Sequence, residues 1–423
     1  MNKLNRRSLL AAVGGAAAWS LAGCATVTRP SARVVVIGGG FGGATAAKYI
    51  RMWAPEIEVV LVERDAAFVS CPLSNLVLGG SQTIDDLTTG YDTLAKKYGV
   101  RVVRDEALHI DAVKREVRLA RGDTLKYDRL IVSPGVHFQY DQVLGLGSTA
   151  AQSRVLHAWK AGPQTVALRR QLEAMPDGGV YALHIPQAPF KCPPGPYERA
   201  AQVAFYFKQH KPRSKVLVLD ANPDIVSKKA LFLKAWTERY PGLIDYRPNS
   251  ELVRVDAVQN TLELQFETVR ADVLNVVPPQ QAGLIAQTAG LITANQKWCG
   301  VNFQTFESLV APGIHVLGDA TLSAPAMPKS GFMANNHAKV AADAVIALLT
   351  GREVNRDPIL ANTCYSFVSD TDAMHVASVH KYDAVQKTLV VVPGSGGLSQ
   401  QASTQEGQYA KAWARNIWAD SLL

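Results

Sequence analysis

Residues 32–37 (ARVVVI) form a short, nearly unbroken apolar run that leads straight into Gly38-Gly39-Gly40-Phe41-Gly42-Gly43. A run without polar alternation fits a strand covered on both faces, as in a parallel sheet between helices. The following ATAAKYIRMWA reads as a helix, and residues 58–62 (EVVLV) read as the next strand, closed by Glu63. The spacing G-x-G-x-x-G is met by Gly38, Gly40 and Gly43, with the acid about 20 residues further on, which predicts a βαβ unit whose turn cradles a pyrophosphate. Gly38 permits the tight turn, Gly40 lets the backbone approach the phosphates, and Gly43 lets helix and strand pack closely. The helix N-terminus offers its free N–H groups to the phosphates, and Glu63 is placed to accept ribose hydroxyls. The glycines alone would suit a surface turn. Strand, glycines, helix, strand and acid in this order do not.

Three later segments choose the dinucleotide. Residues 314–320 (IHVLGDA) form an apolar strand running into Gly318-Asp319, followed by AMPKSG at 326–331 and a helix predicted over 335–349. Residues 127–135 (YDRLIVSPG) give a further strand and turn. They resemble the pieces that complete the FAD half of two-dinucleotide-domain flavoproteins, with Asp319 at the ribityl or pyrophosphate position, so FAD rather than NAD is expected at the N-terminal site. A second βαβ frame follows in mid-chain: strand 179–185 (GVYALHI), helix 198–208, strand 215–219, then Asp220 where a ribose acid would stand. Its glycines are missing. The turn reads PQAPFKCPPGPYER, and proline has no N–H to give a phosphate. NAD(P)H is therefore not expected there. Two readings of this loop stay open: a degenerate structural turn, or a redox-active Cys192 that replaces nicotinamide beside the flavin.

Residues 1–25 place adjacent Arg6 and Arg7 before an apolar stretch and small residues, the layout of a twin-arginine export signal. LAGC at 21–24 fits both a lipoprotein box, which would lipidate Cys24, and an ordinary cleavage site. Beyond the leader, Cys71, Cys192, Cys299 and Cys364 remain, widely spaced, without C-x-x-C, haem-attachment or zinc spacing. No metal site is expected, and an oxidising compartment permits a disulfide among the four. Hydrophobic residues at 48% against 19% charged exclude wholesale disorder. Of the net charge of +8, three positive charges lie in the leader, and no Lys/Arg run interleaved with aromatics points to nucleic acid. His184 and His315 lie on apolar strands and read as core histidines.

These segments together resemble the flavoprotein subunit of flavocytochrome c sulfide dehydrogenase, a relative of sulfide:quinone oxidoreductases. The resemblance runs through the leader, VVVIGGGFGGATAA, FVSCPLSN, HIPQAPFKCPPGPYERA, HVLGDA with AMPKSG, and NTCYS with the tail beyond it. It implies an α/β fold with two Rossmann-like domains, like glutathione reductase, plus a small α+β C-terminal domain. The boundaries expected are 1–28 for the signal, 31–140 with 275–350 for the FAD domain, 141–274 for the second nucleotide-like domain and 351–423 for the last. It implies FAD held covalently through Cys71, a redox-active disulfide between Cys192 and Cys364, and Glu198 as a proton carrier near the pair. Cys299 receives no role.

The activity implied is oxidation of sulfide to sulfur or polysulfide by thiol–disulfide exchange, with electrons passing through FAD to a c-type cytochrome subunit in a periplasmic heterodimer. The sequence does not say which cysteine takes the sulfur. Lys191 and Arg199 flank the loop, either to attract the anion or stabilise thiolates, or as solvated surface charge. Three rivals remain: a sulfide:quinone oxidoreductase, a non-catalytic flavin-bearing protein, and an NAD(P)H-linked reductase, which the proline loop argues against. The first would need a membrane-docking tail, for which Trp413, Ile417, Trp418, Leu422 and Leu423 offer an apolar stripe. Membrane contact otherwise rests on a lipidated Cys24.

Overall fold

The computed structural model describes residues 32–423; the leader, with Cys24, lies outside the described residues. The apolar run becomes strand Arg33–Ile37, the centre of a five-stranded parallel sheet. The order across this sheet is Ile314–Val316, Arg129–Val132, Arg33–Ile37, Glu58–Val62 and Arg101–Val103. Val34, Val35 and Val36 are wholly buried, as strands covered on both faces require. Helix Phe41–Trp53 follows the glycines and packs on the long helix Gly331–Thr350. The second of these starts four residues earlier than expected, because Ser330 accepts the Met333 N–H and caps it.

The same plan recurs in mid-chain. Strands Ile244–Arg247, Lys215–Asp220, Val180–Ile185 and Val273–Val276 form a four-stranded parallel sheet, extending this layer two residues past the expected boundary at 274. Each parallel sheet has an antiparallel three-stranded companion, at 107–126 and at 252–270. Strands Val136–Phe138 and Gln280–Ala282 pair antiparallel where the chain leaves and re-enters the first layer. The last region is a long hairpin, Ile359–Phe367 against Ala373–Asp383, which sets Cys364 opposite Val376.

Helix Thr404–Leu422 closes the chain. It buries Ala410, Ala414, Ile417 and Leu422, with Trp413 and Trp418 half-buried against the core. Its end is held by Lys48, which donates to the carbonyls of Ala419 and Leu423, and by Asn335, which donates to Asp420. The apolar stripe expected to dock on a membrane exists but points inward; of its members only Leu423 is exposed. Among the described residues no helix is long and apolar enough to cross a membrane.

Candidate functional site

The glycine turn is built as its spacing demands. Gly38 has φ +94°, and a side chain there would strike the Ser133 carbonyl. A Cβ on Gly43 would fall inside the Gly38 carbonyl, so helix and strand touch backbone to backbone. At Gly40 a Cβ would meet nothing within 4 Å, so space stands open over the helix N-terminus. Gly40 begins that helix without a side-chain cap, which leaves the first N–H groups to a phosphate. Glu63 Oε2 accepts the Gly39 N–H at 2.6 Å and Oε1 accepts from Asp65, so the acid also stiffens the turn it follows. Across the sheet, Gly318 turns with φ +68°, and the buried Asp319 Oδ1 has no hydrogen-bond partner among the described residues. A buried carboxylate oxygen without a donor is what a ribityl hydroxyl would satisfy. The open cradle and this unpaired acceptor fit FAD.

Beyond the cradle, four segments converge. Cys71 ends the strand-turn after Ala67–Val69, and its Sγ faces Lys191 Nζ at 3.3 Å. Burial works against the Lys191 charge, but Cys71 and Asp319 more than offset it and hold its pKa above the ordinary lysine value. Lys191 is thus a partner of the Cys71 thiol and not a solvated surface charge.

The proline-rich turn carries Cys192 in the left-handed region, φ +58°. Its N–H donates to the Lys329 carbonyl at 2.8 Å, tying the second layer to the AMPKSG segment of the first. Helix Gly195–His210 starts directly after the Pro193–Pro194 pair, with Pro196 in its first turn, a position where the missing N–H costs nothing. Gly195 is required for contact: a Cβ would lie 2.8 Å from Cys192 Sγ and 2.9 Å from the Trp159 ring. Cys192 keeps accessible surface, yet protein crowds it enough that burial is the largest influence on its thiol and pushes it up.

Glu198 lies in the first turn of this helix, buried, with Oε1 accepting the Phe367 N–H at 2.7 Å and Oε2 accepting Asn75 Nδ2 at 2.8 Å. Burial raises its pKa, against the lowering effect of those two donors and of Lys228 and Arg199. The Phe367 bond brings the Cys364 strand onto the Cys192 helix. Glu198 acts on both thiols electrostatically, and so stands near the pair. Burial also raises the Cys364 thiol, with Lys228 the strongest opposing influence.

Cys192 and Cys364 are free thiols in this structure, the reduced state of the pair that the resemblance implies, with Cys364 Sγ 3.4 Å from Asn362 Nδ2. Arg199 is neither surface charge nor anion attractor. It is 2% exposed. Its guanidinium donates to Asn75 Oδ1, Asn275 Oδ1 and the carbonyls of His157 and Ala158, and it stacks on Trp159. The fork clamps the Cys71 and Cys192 segments together, a task its five fixed donors suit.

Cys299 is buried and its thiol is pushed up to about 12 by burial. His184 and His315 are core residues, each lowered to about 4 by burial. Asp220 does not face an open ribose site: its oxygens accept from Tyr197, Tyr246 and Asn222. Sequence reasoning missed Asn75, Asn362 and Lys228. The first two sit inside the quoted cysteine motifs, while nothing in SKKALF marks Lys228.

Residues 165–278 match the family model "Sulfide dehydrogenase [flavocytochrome c] flavoprotein chain, central". Residues 356–422 match "Flavocytochrome c sulphide dehydrogenase, flavin-binding", and residues 32–161 match "Pyridine nucleotide-disulphide oxidoreductase". A flavocytochrome c sulfide dehydrogenase flavoprotein chain of Chlorobaculum thiosulfatiphilum is 64% identical over 45 residues, 11% of this chain and 94% of that sequence. The chain belongs to the flavocytochrome c sulfide dehydrogenase flavoprotein family. The mitochondrial sulfide:quinone oxidoreductase of Mus musculus is 22% identical over 306 residues, 68% of this chain, and the match spans 65% of the mouse protein's length. The solved sulfide:quinone oxidoreductase of Aquifex aeolicus superposes with a TM-score of 0.75 at 18% identity, covering 92% of this chain and 91% of that one. That likeness shows the fold, an arrangement of two Rossmann-like layers.

Proposed function

We propose that this chain is the flavoprotein of a sulfide dehydrogenase: it oxidises sulfide to sulfur or polysulfide through Cys192 and Cys364 and hands the electrons to a c-type cytochrome subunit. The observation that carries this reading is the meeting of Cys192 and Glu198, from the proline turn and its helix, with Cys364 from the C-terminal hairpin, next to a cradle that fits FAD. Bound FAD supplies acceptance of an electron pair and its release as single electrons. Gly38, Gly40, Gly43, Glu63, Gly318 and Asp319 would hold it, and Cys71, whose Sγ lies 3.3 Å from Lys191 Nζ, would fix it covalently. Hydrosulfide attacks the oxidised pair; its sulfur bonds to one cysteine while the other leaves as a thiolate. Glu198, whose carboxyl burial pushes up, stands within the pair's field as its proton carrier. The twin-arginine layout of the leader supports a periplasmic site of action.

The membrane-docking form of the quinone reading is disfavoured by the inward-facing tail helix. An NAD(P)H-linked reductase is disfavoured by Asp220, whose oxygens are engaged within the fold. The test is an anaerobic flavin spectrum of the purified protein before and after sulfide, with NADH in parallel. Bleaching by sulfide and not by NADH supports the proposal; bleaching by NADH alone overturns it. Reoxidation by cytochrome c rather than by a quinone analogue then separates the acceptors.

A further inference from the structure

Lys228 is a buried lysine that the reading above does not use. It begins helix Lys229–Arg239 in the left-handed region, φ +55°, a conformation rarely held by a residue with a long side chain. Its Nζ donates to the Cys364 carbonyl at 2.8 Å and to Ser366 Oγ at 2.8 Å. Both acceptors are neutral, so no carboxylate bonded to Nζ neutralises the ammonium. Buried cations are ordinarily paired.

The surroundings of Cys364 are polarised the same way. Ser330 Oγ spends a lone pair on the Met333 N–H and donates to Asn362 Oδ1 at 2.7 Å. That bond occupies Oδ1 and holds the amide with Asn362 Nδ2 3.4 Å and Oδ1 3.6 Å from Cys364 Sγ, so the thiol can donate to Oδ1 and a thiolate can accept from Nδ2. Cys364 therefore has an N–H donor on its sulfur and an ammonium on its own carbonyl. Cys192 has the start of helix Gly195–His210 beside it and Lys191 next to it in the chain, but the Lys191 ammonium is directed at Cys71 Sγ, 3.3 Å away, while Glu198 opposes negative charge on both thiols.

We propose that Lys228 is the counter-charge of Cys364, and that with Asn362 it makes Cys364 the leaving thiolate of the pair and Cys192 the cysteine that receives the sulfur. This rests on the sulfide-oxidising reading and deepens it. The hydrosulfide sulfur bonds to Cys192 Sγ, the Cys192–Cys364 bond breaks, and its electron pair departs on Cys364. The hydrosulfide proton remains on the new persulfide, so atoms and charge balance. A second hydrosulfide takes the outer sulfur away as HSSH and leaves the Cys192 thiolate; rejoining the two thiolates as the disulfide would then pass two electrons to the flavin of that reading. The better-stabilised thiolate leaves faster.

The groups facing Lys228 are Cys364 on its strand, Cys192 and Glu198 from the proline turn and its helix, Glu406 from the C-terminal helix, and the Phe232 ring on its own helix. Burial lowers Lys228 to about 8, opposed first by Cys364. The counter-charge is thus present at neutral pH and fades above pH 8 unless a thiolate at Cys364 retains it.

The experiment uses the full-length protein, reduced and then alkylated with iodoacetamide from pH 5 to 10, with each cysteine followed separately by mass spectrometry. The midpoint of each profile is read, so steric access cancels. Cys364 should show the lower midpoint. Lys228→Met should raise the Cys364 midpoint by a unit or more and slow its alkylation at pH 7 by about tenfold, leaving Cys192 nearly unmoved, while Lys228→Arg should restore it. If Lys228→Met folds poorly, as flavin content will report, Asn362→Leu should move Cys364 in the same direction by a smaller amount. A lower midpoint at Cys192, or a Cys364 profile indifferent to these substitutions, overturns the inference. The readout needs no sulfide and no acceptor, so it stands or falls apart from the sulfide-bleaching test.

Discussion

Replacing Glu198 with glutamine tests whether this carboxylate is an ionising member of the site or a packing element. The side chain accepts two hydrogen bonds, from Phe367 N–H and from Asn75 Nδ2. A glutamine oxygen can keep one of them, and its amide then meets the other donor head on. Asn75 cannot relieve this by turning over, because its Oδ1 holds Arg199 Nε at 3.0 Å and its Nδ2 also donates to the Gly195 carbonyl. One buried donor is left without a partner, a loss of about 1–3 kcal/mol. Against this, glutamine removes a carboxylate whose pKa burial raises. The sign follows from linkage. A folded-state pKa above the unfolded value means that stability is complete at low pH and is lost as pH rises through the folded value. Wild type alone carries that loss. Glu198→Gln should therefore melt a few degrees below wild type at pH 5, and the gap should narrow as pH rises towards 8. Flavin reduction by sulfide should slow by about 10²–10⁴-fold, the usual worth of a positioned proton carrier. Thermal melts at several pH values, with stopped-flow reduction alongside, measure both. A melting gap that does not change with pH would show that Glu198 does not ionise with a raised pKa, and unaltered reduction would remove it from the proton path.

Arg199→Met should unfold more readily than wild type by on the order of 3 kcal/mol, because Asn75 Oδ1 and the Ala158 carbonyl lose a buried donor. Urea titration checks it, and a wild-type midpoint would deny the clamp. Cys71→Ser should release its flavin on acid precipitation where wild type retains it in the pellet; flavin in the supernatant from both proteins would show that Cys71 makes no covalent bond.

The frame of this protein was legible because its rules are local. The run ARVVVI, the three glycines and Glu63 specify strand, turn, helix and strand within some thirty residues, and Gly38, Gly40 and Gly43 each perform the steric task their spacing implies. His184 and His315 were readable as core residues for the same reason, since a histidine within an apolar strand has nowhere else to go. The cysteines were legible only through their motifs, and what surrounds them was not. Arg199 shows why: a cation beside a loop looks like a surface charge until the fold brings the His157 and Ala158 carbonyls, some forty residues earlier in the chain, to its guanidinium. Lys228 is the sharper instance. It sits among ordinary surface residues in SKKALF, and only a positive φ turns it inward to reach Cys364, 136 residues away. The tail stripe misled for the complementary reason. Amphipathic spacing gives a helix an apolar face but not the identity of what covers it; here the cover is the protein's own core. Spacing thus reports the elements that a short stretch of chain can build alone. The charges that tune the thiols come from long-range packing, and they became visible only once the segments carrying Cys71, Cys192 and Cys364 had been brought together.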